Sequence, residues 1–542
     1  MLRLRLPRTL LQRCAPVPRP PGARGTSRMP PWPSGTGGPR TGRPLALASG
    51  GAALGLAALI GSKMHADAAA AAALPLAVRQ DDDPERKGRD SLRALVRTYV
   101  VYSLCSIPAL VDNAPWLLET FSRIPGLKRI TEALVRATFF DQFVGGDSAA
   151  ETLPLLKVLR TANTGALFAY SVEVDEAQAT ATAAAGASQS SPHKAIVAEM
   201  LHCIDVAADF EDSLGATQAG RRTWVAVKLT ALLPDASALI RLSSHIIATR
   251  PPTSPPLVVF PGNPTASDLD VLHVPAAPRG DLSDADLAAL RALHTDLEAI
   301  CTRAAARGVR VIIDAEYSWY EPAIDAFALA LMRRFNAGPA GPLVYATFQA
   351  YLRRTRAHLV HALRDAQAHG YALGAKLVRG AYHPHEAAAH GRGAAGTLSI
   401  SPDALPPVWG VKTDTDASYD ACAALLLGAV AADVASGRRA PQGVGVLFGT
   451  HNWASCRKIL AGLAERGLGR MTAEGTLRAD ERVGERVTFG QLYGAYVPYG
   501  ALADVMPYLS RRAIENKSVL GGTTAQTERA RAWAQIRKRV LG

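Results

Sequence analysis

The chain has 542 residues, 48% hydrophobic and 20% charged, which is enough apolar content for one large folded body with appendages or for two domains. Its net charge of +13 is concentrated in residues 1–66, which hold nine arginines, one lysine and no acid; the remaining 50 basic and 47 acidic residues make a near-neutral body, excluding nucleic acid as an expected partner. Six scattered cysteines without a CxxC pair or a Cys/His cluster fit a reducing compartment and give no metal signal.

Residues 1–43 are rich in Arg, Pro, Gly and Ser, and the first acid is Asp67. Leu2, Leu6 and Leu10 share a helical face with Arg3, Arg5, Arg8 and Arg13 interspersed, the composition of a mitochondrial transit peptide. Leu45 to Gly61 is apolar but mostly Ala and Gly, short and weakly hydrophobic for a spanning helix. Residues 1–66 are therefore read as transit peptide and Ala/Gly-rich leader, and 67–90 as a linker. A helical arm is expected over 91–165, opened by Leu92, Leu95, Val96, Tyr99 and Val100 and interrupted by FFDQFVGGD at 139–147.

From 166 the chain alternates. Strand-like runs occur at 166–173, 224–230, 309–314, 343–348, 374–379, 444–449, 486–491 and 494–497. Helical stripes separate most of them, such as Leu287, Leu290, Leu293, Leu297 and Ile300, ended by Gly308, and Ile324, Phe327, Leu331 and Phe335. Eight strands with intervening helices predict a distorted (β/α)8 barrel over 166–525. The gap between the last two strands is too short for a helix, so irregular closure is expected there. Three segments break the rhythm: 178–192 is low-complexity and expected to be disordered, 248–268 is Pro-rich, and 387–410 reads as a loop. Residues 526–542 form a basic amphipathic helix with Trp533, Ile536 and Val540 on one face, suited either to an anionic membrane surface or to packing on the barrel.

In a barrel the active site lies at the C-terminal ends of the strands. Those ends carry Glu173, Lys228, Asp314 with Glu316, Gln349, Lys376 with Arg379 and Tyr382, Thr450-His451-Asn452, Gln491 and Tyr496. Each has a bland reading alone, such as a snorkelling Lys228 or a satisfied rim His451. Together they form a polar rim on almost every strand. No Walker sequence occurs, and GVGVLFG at 443–449 lacks the third glycine of a dinucleotide fingerprint. Beyond the last strand, Tyr508, Arg511, Arg512 and Glu515 sit at i, i+3, i+4 and i+7 on one helical face. Two adjacent guanidiniums flanked by apolar Val505, Met506, Leu509 and Ile514 read as a clamp for a carboxylate.

The runs AVKLTAL (226–232), DAEYSWYEPAID (314–325), TFQAYLRRT (347–355), KLVRGAY (376–382), GTHN (449–452) and YLSRRAIEN (508–516) together resemble proline dehydrogenase. FFDQFVGGD and YSVEVDE (170–176) are similar to its eukaryotic mitochondrial branch. The resemblance spans roughly 95–520 apart from the insertions. It implies FAD at the strand C-termini, L-proline against the flavin, 1-pyrroline-5-carboxylate as product, and a quinone as electron acceptor at the matrix side of the mitochondrial inner membrane. Carried over by position, Arg511 and Arg512 grip the proline carboxylate with Lys228 as a third cation. Tyr496 and Tyr508 wall the ring, Glu515 orients the arginines, and Asp314 orients its polar neighbours. Gln349, Lys376, Arg379, Gly380, Tyr382, Thr450, His451 and Asn452 hold FAD, with Lys376 or Arg379 tuning the isoalloxazine. Glu173 matches a position that pairs with the arginines. The sequence departs from the pattern at His383-Pro384-His385-Glu386, which precedes an insertion, and in the 178–192 patch. The competing readings are the same chemistry on hydroxyproline, a Schiff-base aldolase using Lys228 or Lys376, and a non-catalytic membrane scaffold.

Overall fold

The computed structural model describes residues 91–161, 163–171, 192–215, 220–250, 258–274, 279–338, 341–391, 398–437, 443–450, 452–472, 477–484, 486–490, 496–518 and 524–541. The expected leader (1–66), linker (67–90) and all of the 178–192 patch but Pro192 lie outside these residues. Two compact units divide the chain. The smaller holds α1 (Leu92–Cys105), whose N-cap Ser91 hydroxyl accepts from the Ala94 amide, together with the helix at the C-terminal end. The larger spans residues 113–515.

In the larger unit, β1 (Ala166–Tyr170) is followed by α2 (Pro192–Ser213), β2 (Thr223–Val227), α3 (Ser237–Thr249) and α4 (Asp284–Arg307). Then come β3 (Val311–Ile313), α5 (Glu321–Phe335), β4 (Val344–Gln349), α6 (Thr355–His369), β5 (Gly374–Val378), α7 (His383–Gly391) and α8 (Lys412–Ala435). The chain continues through β6 (Gly445–Gly449), α9 (Trp453–Glu465), a hairpin of β7 (Gly469–Met471) and β8 (Leu477–Ala479), β9 (Val487–Gly490), β10 (Tyr496–Tyr499) and α10 (Met506–Ser518). Eight strands form one parallel sheet in the order β10-β1-β2-β3-β4-β5-β6-β9. This is the expected barrel. Among the described residues no pairing joins β9 to β10, and only residues 491–495 lie between them, so the circle is nearly but not fully closed.

The strands bury both faces, as parallel strands under helices must, and the pleat sorts their side chains. Phe168, Val225, Val227, Val311, Ile313, Ala346, Leu377 and Phe448 join the large core between sheet and helices. Leu167, Ala169, Trp224, Ala226, Ile312, Tyr345 and Leu447 form a separate cluster that fills the barrel, with Tyr496 packed against it. Trp224 and Tyr345 meet there at 4.8 Å between ring centroids.

Helix ends follow the sequence. The Ser283–Asp286 capping box starts α4, and Gly308, at φ +65°, ends it. Helix α8 is long and apolar enough to cross a membrane, but Tyr419, Cys422, Leu426, Leu427, Val430 and Val434 bury it in the barrel's outer layer. FFDQFVGGD sits against β10 and α10: the Gly145 amide donates to Pro498 O and the Gly500 amide to Gly146 O. A Cβ on Gly145 would lie 2.7 Å from Val497, so this approach needs glycine. Phe140 and Val144 then pack with Val505, Tyr508 and Leu509.

Both insertions are more structured than their composition suggested. The expected loop 387–410 begins inside α7, and beyond 397 it adds a bridge between Leu352 and Val408. The Pro-rich segment keeps 258–268 in place through the Asp403 carboxylate, which accepts from the Phe260 amide, and the Arg250–Asp268 ion pair. In the smaller unit, α11 (Thr524–Leu541) packs on α1: Trp533 lies 5.6 Å from Tyr99, and Arg529 donates to the Ser106 hydroxyl. Trp533 is thus engaged with a helix, while Val540 stays exposed.

Candidate active site at the strand ends

Alternation along each strand decides which polar residues enter the barrel mouth. Ala226 and Ile312 face inward, so Lys228 and Asp314, two residues on, continue the inward rows; Gln349 follows Tyr345, and Lys376 follows the opposite parity from outward Ala375 and Leu377. The parallel registers bring them to similar height, Ala226 opposite Ile312 and Thr347 opposite Lys376. Lys376 Nζ donates to Asp314 Oδ1 at 2.6 Å, with both side chains about nine-tenths buried. This ion pair joins the ends of β3 and β5.

Tyr496 begins β10 on the inward row. Burial pushes its phenol above the usual range; Asp314 and Tyr508 add to that, while Lys228 and Arg512 oppose it. Those five side chains therefore share one electrostatic neighbourhood. The Tyr496 and Tyr508 rings lie 6.5 Å apart, and the Arg512 guanidinium sits 5.3 Å over the Tyr508 ring. Arg511 and Glu515 lie on the same helix, α10, but their side chains fall outside the described residues, as do Glu173, His451 and Gln491.

The two cations of KLVRGAY diverge. Arg379 has the outward parity, and its guanidinium donates to Asp416 Oδ1 at 2.6 Å, Thr450 Oγ1 at 2.8 Å and Ser455 Oγ at 2.9 Å. It also lies 4.3 Å over Tyr419. It ties β5 to the starts of α8 and α9, while Lys376 stays in the mouth. Asn452 caps α9, its Oδ1 accepting from the Ala454 and Ser455 amides. Gly380 has φ +117°, and a Cβ there would meet the Tyr351 ring at 2.5 Å. Tyr382 packs 4.3 Å from Tyr317, which stacks on Trp319.

Glu316 was legible only as a strand-end acid. It is 6% exposed and accepts from the Thr230 amide and hydroxyl at 3.1 and 2.5 Å. Burial raises its pKa, opposed first by the nearby Lys228 charge. Gln349 Nε2 donates to the Glu316 carbonyl, so Gln349 braces this loop. Behind it, Glu321 accepts from the Glu316 amide at 2.7 Å, and Arg354, 2% exposed, pairs with Asp325 at 2.5 Å and Glu321 at 3.4 Å. The signal for that network was available: acids at 321 and 325, four apart on an apolar helix, had to face something.

A mouth with these cations, carboxylates and tyrosines can hold a small anion beside an aromatic wall. Known proteins give this arrangement a context. The family model described as proline dehydrogenase matches residues 171–525. Hydroxyproline dehydrogenase of Bos taurus is 29% identical over 463 residues, covering 83% of this chain and 91% of the relative. Mitochondrial proline dehydrogenase 1 of Bos taurus is 26% identical over 564 residues, covering 82% and 87%. Among solved structures, proline utilization A from Bdellovibrio bacteriovorus superposes with a TM-score of 0.50 at 17% identity; the likeness covers 85% of this chain and 41% of that one, and it supports the fold. With the family model covering well over half of the chain, and the barrel fold in accord with it, the chain belongs to the proline dehydrogenase family.

Proposed function

We propose that the chain is an FAD-dependent dehydrogenase that oxidises L-proline to 1-pyrroline-5-carboxylate. The carrying observation is the gathering of Lys228, Asp314, Tyr508 and Arg512 around Tyr496 at the barrel mouth. That set suits a small zwitterion: cations for its carboxylate, a carboxylate to balance them, and tyrosine rings against its ring. In this reading Arg511 and Arg512 grip the carboxylate with Lys228 as a third cation, and Glu515 orients the arginines. Tyr496 and Tyr508 wall the ring and exclude water. Asp314 holds Lys376 in place.

The strand-end residues fit FAD. Lys376, Gln349, Thr450, Asn452 and Arg379 are donors, matching a ligand rich in phosphate and carbonyl acceptors. Gly449 and Gly490 are register partners at the ends of β6 and β9, where Val378 and Leu447 pack against them, and Gly380 lets the Tyr351 ring close on the segment after β5. FAD, when bound, supplies the hydride acceptor. Lys376 would approach it directly, Arg379 would act through the frame it shares with Thr450 and Ser455, and Tyr382, His451 and Asn452 would complete the hold.

The same scaffold acting on hydroxyproline is the second reading, favoured by relatives at 29% identity against 26% for the named proline enzymes. Tyr496 argues for proline, since an added ring hydroxyl needs room and a hydrogen-bond partner beside that ring. The acid-free leader and the mitochondrial relatives support a mitochondrial enzyme, with electrons passing to a quinone of the inner membrane. The deciding experiment is anaerobic: record the visible spectrum of residues 80–542, then add substrate. A flavin spectrum bleached by L-proline and far less by hydroxyproline is expected. The reverse preference would assign hydroxyproline, and a colourless folded protein would return the reading to Schiff-base lysine chemistry.

Lys376→Ala tests the cofactor side. It removes the Asp314 partner and a donor from the mouth. Flavin occupancy or the rate of flavin reduction is expected to fall about tenfold or more, equivalent to at least ~1.4 kcal/mol. Unchanged occupancy and rate would remove Lys376 from the cofactor site.

A further inference from the structure

We propose that Glu386 is a positioning residue for this site: its carboxylate clamps the loop after β3 to the segment after β5, and so seats Tyr382 at the rim. The inference rests on the strand-end site proposed above. Glu386 belongs to α7, in the stretch where the sequence departs from the family pattern, and is 1% exposed. One carboxylate oxygen accepts from the Ser318 amide and the other from the Ser318 hydroxyl, each at 2.6 Å. Ser318 lies between Tyr317 and Trp319, whose rings stack at 4.4 Å and 7°. Tyr317 in turn packs 4.3 Å from Tyr382, and its hydroxyl lies 3.0 Å from His385 Nδ1.

A third loop joins the same point. The Tyr351 ring, just beyond β4, fills the space against Gly380, and its phenol faces Glu386. One buried carboxylate thus joins the segments after β3 and β5, and Tyr351 from the segment after β4 packs against the latter at Gly380. The segment after β3 begins at Asp314, the partner of Lys376, and the segment after β5 holds Tyr382. The mechanism proposed above uses neither Glu386 nor Ser318.

The clamp depends on protonation. An ionised carboxylate accepts both Ser318 donors in charge-assisted bonds, whereas a protonated one accepts from the amide and donates to the Ser318 hydroxyl, so both bonds become weaker neutral ones. Burial raises the Glu386 carboxyl to about 7, opposed by the Ser318 hydroxyl, the Ser318 amide and Tyr351. The groups facing it are Tyr317 and Ser318 from the β3 loop, Tyr351 from the β4 loop, and Tyr382 and His385 from its own segment; Glu321 of α5 acts on the same cluster through Tyr351. For an acid whose folded pKa is raised, ionisation costs native stability as pH climbs from its ordinary value to about 7, and that cost is fully present above. Glu386→Gln removes the cost while keeping the shape.

The test uses full-length holoenzyme, wild type and Glu386→Gln. At pH 6 to 8.5 it reads Tm, the kcat and KM of L-proline-dependent flavin reduction, and deuterium uptake over residues 314–320. At pH 8 the variant is expected to keep or raise Tm, yet to take up deuterium over 314–320 at least fivefold faster and to lose three- to tenfold in kcat/KM. The wild-type rise in activity near pH 7 should be missing. Ser318→Ala, which removes one of two donors, should shift exchange and kcat/KM the same way by less but lower Tm at pH 8, because the buried carboxylate remains and loses a hydrogen bond that favours its ionised form. Wild-type exchange over 314–320 in Glu386→Gln would overturn the clamp, and so would a lower Tm with faster exchange throughout the barrel. If proline fails to reduce the wild-type flavin, the substrate reading falls, while exchange over 314–320 still decides the clamp.

Discussion

Arg512→Met is expected to raise the KM for L-proline by on the order of 100-fold while the protein keeps its flavin. A hydrogen-bonded contact between a guanidinium and a carboxylate contributes about 3 kcal/mol at the upper end for charged groups, and each ~1.4 kcal/mol is tenfold. Arg512 is well placed for that value. It stands over the ring of Tyr508, which is 3% exposed, and acts on the partly buried Tyr496, so a ligand against those rings is screened from water on that side. Methionine keeps most of the side-chain length and the contact with Tyr508 but removes the charge. The substrate loses a contact in the ground and transition states alike, so KM should carry most of the effect. Arg512→Lys should fall between, because it restores the charge without the planar fork. Steady-state kinetics with an artificial acceptor, beside the visible spectrum, would decide: wild-type KM with normal flavin content would sink the clamp.

The barrel was legible because parallel strands buried on both faces write continuous apolar runs, and each of the eight runs became a strand. The mouth was legible one level deeper, through parity. Lys228, Asp314, Lys376 and Tyr496 extend inward rows, so their convergence follows from period two alone. The same parity separates Arg379 from Lys376, a distinction that a motif treating KLVR as one unit does not draw. The hairpin of β7 and β8 left no trace, because three-residue strands are too short to show alternation. What joins the rim loops was also hidden. Ser318 and Glu386 are 68 residues apart, and Glu321 and Arg354 are 33, and no local period reports such partners. Amphipathicity on α11 showed that the helix had a partner but not which; α1, more than 400 residues away, was one of several surfaces that would satisfy it.

The largest stability effect is expected away from the rim, at Arg354. Arg354→Met should lower global stability by about 3–5 kcal/mol, the usual cost of removing one partner from a buried ion pair. Arg354 faces Asp325 and Glu321, both 5% exposed or less, and donates to the Gly262 carbonyl, so its loss leaves two carboxylates in the core and an acceptor without its donor. Burial already raises both acids, the Asp325 charge adds to the shift of Glu321, and Arg354 opposes both shifts. Without it their folded pKa values rise further. An acid raised on folding holds its proton in the native state after the unfolded chain has released it, so variant stability falls as pH climbs above the ordinary carboxyl range. The deficit against wild type should therefore be largest near pH 8 and narrow toward pH 5. Because Glu321 also receives the Glu316 amide, and Glu316 faces Lys228, activity should fall along with stability. Denaturant unfolding at pH 5 and 8 measures both quantities. A loss under 1 kcal/mol at pH 8 would mean the two acids share a proton and need no cation.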